Sequence, residues 1–150
     1  MKIKIKKLHP DARMPSRGTE DAAGFDLYAT EDVTLNFGIP TMVPTGLAFE
    51  IPKGYVGVVY SRSSTAKKGI VITPLLVDCD YRGEVFILAN RLAGITQFTG
   101  HGVFAPPYRV GAGDRIAQMR IEKLVDTEYE WADELSETER GTGGYGSTGR

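Results

Sequence analysis

The segment Leu76-Val77-Asp78-Cys79-Asp80-Tyr81-Arg82-Gly83-Glu84 carries the clearest signals of a β fold in the sequence. An apolar run stops at a turn rich in acidic residues, and a second apolar run, Val85 to Leu88, follows. Because Asp and Gly favour turns, the segment predicts a buried strand, a hairpin turn closed by Gly83 and a return strand. Asp78 is expected where the buried strand emerges, and a carboxylate there can act as a general base towards water. Ordinary turn chemistry is the alternative explanation of the same acids.

Outward from this segment, 18 glycines and 8 prolines divide the chain into short β-rich runs. The other runs are Gly24 to Tyr28, Val43 to Phe49, Tyr55 to Tyr60, Gly69 to Ile72 and Arg115 to Ile121. Short strands between turn signals predict an all-β sandwich or barrel. Residues 1–7 alternate lysine with isoleucine, which predicts an exposed or edge strand. One short helix is expected around Ser63 to Lys68, with Ser63 or Ser64 as its N-cap.

Composition excludes several classes of protein. The 150 residues fit one soluble domain, with 41% hydrophobic and 25% charged residues. The net charge of −1 gives no basic field for a nucleic-acid polymer, and no apolar run reaches the ~18 residues of a membrane span. Residues 1–7 lack the continuous apolar stretch of a signal peptide. Cys79 is the only cysteine, so we expect no intrachain disulfide, a tolerated thiol and a cytoplasmic protein.

Three further segments carry polar residues that suggest a binding site. Ser61-Arg62-Ser63-Ser64 precedes the expected helix, where hydroxyls and free N–H groups can bind an anion. An ordinary N-cap with a surface arginine explains this segment equally well. Gln118 lies among apolar neighbours and needs a hydrogen-bond partner if it is buried. The short strand Ala23 to Ala29 carries one acid, Asp26.

Two stretches differ from the rest in composition. Residues 141–150 contain five glycines, with Tyr145 as the only large apolar residue. Such a tail is expected to be mobile until a ligand orders it. It is either a lid that binds phosphates and a nucleobase or a simple linker. Residues 89–110 contain three glycines and the pair Pro106-Pro107, and they predict a loop excursion or an added hairpin.

Taken in order, five of these segments resemble the five signature motifs of the trimeric dUTP diphosphatase family. The matching segments are Ala23 to Ala29, Arg62 to Ser64 with the residues that follow, Leu76 to Glu84, Gly113 to Met119 and Arg140 to Gly149. The resemblance covers nearly the whole chain apart from residues 89–110. It implies a jelly-roll-like β domain at residues 1–139 with an insertion at 89–110, and a lid at 140–150. It also implies a homotrimer whose active sites are shared between subunits.

The resemblance implies hydrolysis of dUTP to dUMP and pyrophosphate with Mg²⁺, which limits uracil in DNA and supplies dUMP for thymidylate synthesis. Asp78 would activate the water that attacks the α-phosphate. Asp26 would support the metal through water, while the substrate phosphates hold it directly. The residues implied to hold the triphosphate are Arg62, Ser63, Ser64, Gln118 and Arg140. Ser63 would lie near the bridging oxygen.

The resemblance also implies how the nucleoside is selected. Tyr81 would pack against deoxyribose and leave no space for a 2′-hydroxyl. Backbone groups around Leu76, Val77 and Phe86 would bond the uracil edge, and Tyr145 and Gly146 of a neighbouring lid would cover the base. The chain departs from the usual pattern at Leu75, where glycine is common, and at Tyr145, where phenylalanine is common. It also departs at Ile72, the residue nearest the place of a uracil-contacting asparagine in many bacterial members.

Two other functions fit part of the pattern. The related dCTP deaminases share the fold but need a glutamate in the strand after the third motif. Here that place reads Phe86-Ile87-Leu88-Ala89, without an acid. A nucleotide-sensing interaction module, with residues 89–110 as its partner surface, is the other alternative.

Overall fold

The computed structural model describes residues 1–92, 98–99, 102–103 and 106–143. Within these residues, thirteen strands and one five-residue helix make up the regular structure. The strands are β1 (Lys4–Lys7), β2 (Phe25–Tyr28), β3 (Val33–Leu35), β4 (Thr41–Pro44), β5 (Leu47–Glu50), β6 (Tyr55–Ser61), β7 (Ile70–Ile72), β8 (Leu75–Val77), β9 (Phe86–Arg91), β10 (Phe98–Thr99), β11 (Gly102–Val103), β12 (Tyr108–Val110) and β13 (Arg115–Lys123). The helix is α1 (Ser63–Lys67). The predicted all-β class with one short helix is confirmed.

Two larger antiparallel sheets enclose the hydrophobic core. One has the strand order β2-β13-β6-β8 and the other β4-β9-β7, and three two-stranded pairs (β1-β5, β3-β12 and β10-β11) accompany them. Leu27 and Val59 of the first sheet and Val43 and Ile87 of the second are fully buried in one cluster. Each such side chain contributes about 1.5–3 kcal/mol on burial. The core therefore joins the two sheets into one unit.

Strand β1 is the edge strand that the lysine–isoleucine alternation predicts. Ile3 and Ile5 are partly buried against the core, while Lys4 is exposed and donates to Glu50 Oε1 at 2.9 Å. In the described part of the chain β1 pairs only with β5. Charged side chains along such an edge oppose unwanted pairing with another strand. The only helix described, α1, has five residues, and no described helix is long and apolar enough to cross a membrane.

The predicted N-cap of the helix is wrong by one or two residues. Arg62, not Ser63 or Ser64, occupies that position. The backbone N–H of Arg62 donates to Thr65 Oγ1 at 3.2 Å, and the Thr65 hydroxyl donates back to the Arg62 carbonyl at 2.8 Å. The buried threonine thus bonds the backbone of the N-cap residue from the third helical position, as one half of a capping box does, and both serines remain exposed on the first turn.

The run from Val43 to Phe49 is not the single strand that its composition predicts. It divides between β4 and β5 at Thr45 and Gly46, and Gly46 has a φ of +64°. A Cβ at Gly46 would lie 2.6 Å from His9 Cβ, so no larger residue fits. This glycine therefore permits a sharp change of direction inside an apolar run.

The predicted hairpin around Asp78 and Gly83 is also wrong in its pairing. A turn is present, since the Tyr81 N–H donates to the Asp78 carbonyl at 3.2 Å. The flanking strands do not pair with each other, because β8 pairs with β6 and β9 pairs with β4 and β7. The segment from Asp78 to Val85 instead carries the chain from one large sheet to the other.

Part of the 89–110 stretch forms a short antiparallel strand pair. Strand β9 continues to Arg91 and β12 begins at Tyr108, so regular structure of the domain occupies both ends of the stretch. Between them β10 and β11 pair antiparallel, with Phe98 opposite Val103. This pairing favours the hairpin over a plain loop, the two alternatives that the sequence leaves open.

Candidate active site

Five polar residues lie close together where β2, β13 and β6 are side by side. Four of them were predicted from the sequence, and the fifth, Arg115, was not. The register places Gln118 of β13 opposite Asp26 on one side and Tyr60 on the other. Arg62 follows the end of β6 directly. We call this group the arginine cluster, and its members are Asp26, Arg62, Ser64, Arg115 and Gln118.

A buried carboxylate organises the arginine cluster. Asp26 is 7% exposed, and its Oδ1 accepts from Arg62 Nε at 2.7 Å. Its Oδ2 accepts from Arg115 Nη1 at 3.3 Å. Each carboxylate oxygen therefore faces a guanidinium, which compensates the cost of burying the charge.

The guanidinium of Arg62 is fixed by more than this ion pair. Its Nη1 donates to Ser64 Oγ at 3.1 Å and to the Arg115 carbonyl at 3.0 Å. None of the hydrogen bonds in the described residues uses Nη2. The side chain is thus held in one orientation with donor capacity left for an anion, and anion recognition by arginine benefits from such fixed geometry.

Gln118 has the hydrogen-bond partner that its apolar surroundings require. Its Nε2 donates to the Ser61 carbonyl at 2.9 Å, beside the start of the Arg62 segment. The side chain lies over Gly24, where a Cβ would approach Gln118 Oε1 to 2.8 Å. The glycine of the first motif therefore provides space for the glutamine of the fourth.

A second group of predicted residues surrounds the turn after β8. We call residues 78–84 the Asp78 turn. Asp78 is exposed directly after Val77, whose side chain is buried in the core. Leu76 is exposed at 70%, and Phe86 is half-buried at the start of β9. Because the Val77 side chain is buried, it is not available to a ligand.

Tyr81 lies folded over its own turn. Its hydroxyl donates to the Glu84 carbonyl at 3.0 Å, and the side chain remains 45% exposed. A Cβ at Gly83 would lie 2.4 Å from the Tyr81 hydroxyl oxygen, so this packing requires a residue without a side chain. The exposed face of the ring can therefore contact a ligand, while Gly83 and the Glu84 carbonyl hold the ring in position.

Within one chain the two groups lie at opposite ends of β6. The pairing of Val77 with Gly57 places Asp78 beside Val56, near the start of this strand. Arg62 follows the other end of β6, six residues away. At about 3.3 Å per residue this is roughly 20 Å, too far for one triphosphate group to be held by Arg62 beside Asp78 of the same chain.

The remaining predicted residues join neither group through a described contact. Ser63 is exposed on the first turn of α1, next to the arginine cluster in sequence. Arg140 is exposed, and its Nε donates to the Gly143 carbonyl at 2.8 Å. Tyr145 and Gly146 lie outside the described residues.

The sequence-based prediction missed two residues that the structure places at the site. Arg115 pairs with Asp26, but it lies next to a register shift between Arg115 and Ala117, which sequence cannot locate. Thr65 supports the Arg62 backbone from within α1. Its position three residues after Arg62 is the spacing of an N-terminal side-chain contact, so this signal was available.

The donors present do not form a metal cage. No group of three or more His, Cys, Asp or Glu side chains that could hold a metal ion occurs among the described residues. Both oxygens of Asp26 already accept hydrogen bonds from arginines. The described residues therefore offer no set of direct Mg²⁺ ligands, and an Mg²⁺ ion here would have to be ligated by phosphate oxygens and water.

Comparison with known proteins identifies the family of the chain. The dUTPase family model matches residues 10–149. A deoxyuridine 5′-triphosphate nucleotidohydrolase of Nautilia profundicola is 43% identical over 153 residues, which cover 100% of both chains. A mutant of the Staphylococcus bacteriophage 80alpha dUTPase, solved with dUpNHpp, matches with a TM-score of 0.86 and 29% identity over 99% of each chain.

A mutant dUTPase from phage phi11 of S. aureus matches with a TM-score of 0.77 and 26% identity, covering 90% of this chain and 99% of that one. Its structure is described as revealing the coordination of a structural Mg(II) ion. The family match extends over far more than half of the present sequence, and the relatives match over their full length. The predicted fold and family are confirmed: this chain belongs to the dUTPase family.

Proposed function

We propose that this protein hydrolyses dUTP to dUMP and pyrophosphate in active sites that the three copies of a homotrimer share, where the arginine cluster and the Asp78 turn come from different copies and the lid of one copy closes over a site built by the others. The observation that carries the proposal is the placement of the arginine cluster and the Asp78 turn at opposite ends of β6. Each group has half of the required chemistry, anion binding in one and an exposed base in the other. The full-length relative from Nautilia profundicola, named for this activity, supports the choice of substrate.

In the proposed site the arginine cluster binds the triphosphate. Arg62 donates from the guanidinium nitrogen that its protein contacts leave free, and Gln118 and Ser64 lie beside it. Ser63, at the first helical position, would face the oxygen that bridges the α- and β-phosphates. Because Asp26 and Ser64 already fix Arg62, little conformational freedom is lost on binding, which favours tight and oriented binding.

Asp78 of another copy would then act as the general base. Its carboxylate accepts a proton from water while the water oxygen forms a bond to the α-phosphorus. The bond from the α-phosphorus to the bridging oxygen breaks, and that oxygen leaves with pyrophosphate. Mg²⁺ bound by the phosphates would neutralise their charge, and Asp26 would contact it through water. The protein thus contributes orientation, charge stabilisation and proton transfer, without a covalent intermediate.

The Asp78 turn would also select the nucleoside. Tyr81 would pack against the deoxyribose and exclude a 2′-hydroxyl, and backbone groups at Leu76, Val77 and Phe86 would bond the uracil edge. Unmatched polar groups would make cytosine costly to bind in the same place. Arg140, Tyr145 and Gly146 would belong to a lid, residues 140–150, that closes over the nucleotide.

A homotrimer is the assembly that we propose, because a cyclic arrangement lets every copy give one group to each of two neighbouring sites. Residues 89–110 are proposed as an insertion in the β domain of residues 1–139. The cytoplasm is the proposed location, since the single Cys79 needs no oxidising compartment.

Pyrophosphate release from four nucleotides tests the proposal. The protein with Mg²⁺ should release pyrophosphate from dUTP at least about 100-fold faster, in kcat/KM, than from dTTP, dCTP or UTP. Removal of Mg²⁺ by a chelator should abolish the release. Equal turnover of all four nucleotides would contradict the proposed selection by the Asp78 turn, and absence of release from dUTP would contradict the function itself.

A further inference from the structure

The loop that carries Tyr81 is anchored by one carboxylate that the reaction itself does not use. Glu84 Oε1 accepts from the Gly46 N–H at 2.7 Å, although the two residues are 38 positions apart. Gly46 lies at the sharp turn between β4 and β5, where its φ of +64° and its crowded surroundings fix the direction of the amide. The hydrogen bond therefore ties the Asp78 turn to a rigid part of the fold.

The same residue also determines where the Tyr81 hydroxyl can lie. The Glu84 carbonyl accepts the hydrogen bond of that hydroxyl at 3.0 Å, so Glu84 bonds Gly46 through its side chain and Tyr81 through its backbone. Gly83 packs against the Tyr81 ring and has no side chain that could contact the hydroxyl. In the described residues, the hydrogen bond of the hydroxyl goes to the Glu84 carbonyl. The position of the Tyr81 ring relative to the turn therefore depends on the hydrogen bond of the Glu84 carboxylate.

From these contacts we propose that Glu84 is a positioning residue for selection of the sugar, acting through Tyr81. This inference rests on the proposed function, in which Tyr81 packs against deoxyribose. Without the carboxylate, the Gly46 amide loses its acceptor, and the backbone at residue 84 is no longer held by a side-chain contact. The Tyr81 ring then has a wider range of positions, and a 2′-hydroxyl that the fixed ring excludes can enter.

A neighbouring contact provides a matched control. The buried Thr45 hydroxyl donates to the Val85 carbonyl at 2.6 Å, which anchors the next residue of the same segment. This contact holds the start of β9 and touches neither Tyr81 nor Glu84. The Thr45 hydroxyl also accepts from the Leu47 N–H at 3.3 Å. Thr45→Val therefore removes two hydrogen bonds next to Gly46 and Glu84 and keeps the donors and acceptors of the two contacts that position the ring.

The experiment measures kcat/KM for dUTP and for UTP on the same preparation of each variant. The ratio of the two constants is independent of the fraction of folded enzyme, so a general loss of stability does not change it. Glu84→Ala should reduce the dUTP-to-UTP ratio about tenfold, mainly through KM, because one charge-assisted hydrogen bond of the loop is lost. Glu84→Gln should keep the ratio within about twofold, since its amide oxygen can still accept from Gly46.

Two further variants decide whether the effect runs through Tyr81. Tyr81→Phe should reduce the ratio as well, and adding Glu84→Ala to it should cause less than about a twofold further reduction. Thr45→Val should lower Tm and keep the ratio. An unchanged ratio in Glu84→Ala, or an equal reduction in Thr45→Val, would overturn the role of Glu84. A wild-type ratio near one would instead contradict selection of deoxyribose by Tyr81, which belongs to the proposed function.

Discussion

The arginine cluster and the Asp78 turn are built in opposite ways. In the arginine cluster a nearly buried carboxylate, Asp26, holds two guanidiniums, and side chains fix one another. In the Asp78 turn the backbone and the Glu84 carboxylate fix the loop, and Asp78 itself is exposed. The described contacts give the Asp78 carboxylate no cation. An anion-binding group gains from being fixed in advance, whereas a base must remain open to water and must not be neutralised by a counter-ion.

The strongest test of this comparison removes the proton acceptor alone. Asp78→Asn should reduce kcat for pyrophosphate release by about 10²–10⁴-fold, because the amide cannot accept a proton from water. KM for dUTP and Tm should stay close to the wild-type values, since Asp78 is exposed and has no ion pair in the described residues. Steady-state kinetics and thermal unfolding of the same sample give both results, and near-normal turnover would exclude Asp78 as the base.

Mixing two inactive variants tests whether the two groups work across copies. Arg62→Gln and Asp78→Asn should each be nearly inactive alone. Co-refolded in equal amounts, they should recover about a quarter of the wild-type activity, because random assembly gives that share of sites with both residues intact. The separate variants, mixed without unfolding, are the control. A mixture that stays inactive after co-refolding would show that Arg62 and Asp78 of one chain share a site.

A smaller effect is expected when the arginine cluster loses its central charge. Asp26→Asn should lower the free energy of unfolding by about 2 kcal/mol, less than for a fully buried pair, because Arg62 and Arg115 keep 21% and 50% of their side chains exposed. KM for dUTP should rise about tenfold, since Arg62 is no longer held in one orientation. Denaturant unfolding and kinetics measure the two effects. A higher KM at unchanged stability would mean that Asp26 contacts the ligand but does not position Arg62.

The smallest effect concerns an exposed ion pair, which serves as a contrast to Asp26. Asp32 accepts from Arg109 Nη2 at 2.5 Å and from the Ala112 N–H at 2.9 Å. The hydrogen bond from Arg109, helped by that from Ala112, lowers the pKa of Asp32 below its usual range. Because the folded pKa lies below the unfolded value, the carboxylate stabilises the fold above about pH 4 and loses this effect as the pH falls through the folded pKa.

Asp32→Asn should therefore lower Tm slightly at neutral pH and should not differ from the wild type in acid below the folded pKa. Thermal unfolding across this pH range measures the difference, and kinetics with dUTP at neutral pH should be unchanged. A difference in Tm that grows as the pH falls would contradict the lowered pKa of Asp32.

Local patterns predicted most of the longer strands and most of the polar residues of both groups, because alternation and turn residues depend on neighbours in sequence. The short strands β3 and β12 were not predicted. The prediction failed where the structure depends on a strand or residue that is distant in sequence. The continuous strand from Val43 to Phe49 and the hairpin around Gly83 were both expected from composition. Gly46 interrupts the first, and the second is divided because β8 and β9 pair in different sheets.

The same limit applies to the candidate site. Asp26, Arg62 and Gln118 were identified from their segments, but the register of β2, β13 and β6 brings them together. Arg62 then donates to Asp26, and Gln118 donates to the Ser61 carbonyl. Arg115 was missed because its approach to Asp26 depends on the register shift in β13. The separation of Asp78 from Arg62 likewise follows from the pairing of β8 with β6, which no local pattern specifies.

The position of Asp78 and Arg62 at opposite ends of β6 has a genetic consequence. In the proposed assembly, a chain that lacks both residues is defective towards two neighbours, so it inactivates more sites than it would as an independent enzyme. Such an allele should act as a dominant negative beside a normal one, provided that its product still folds and assembles. Dilution below the assembly threshold should also lower the specific activity, because the arginine cluster and the Asp78 turn of a single copy lie too far apart to complete one site.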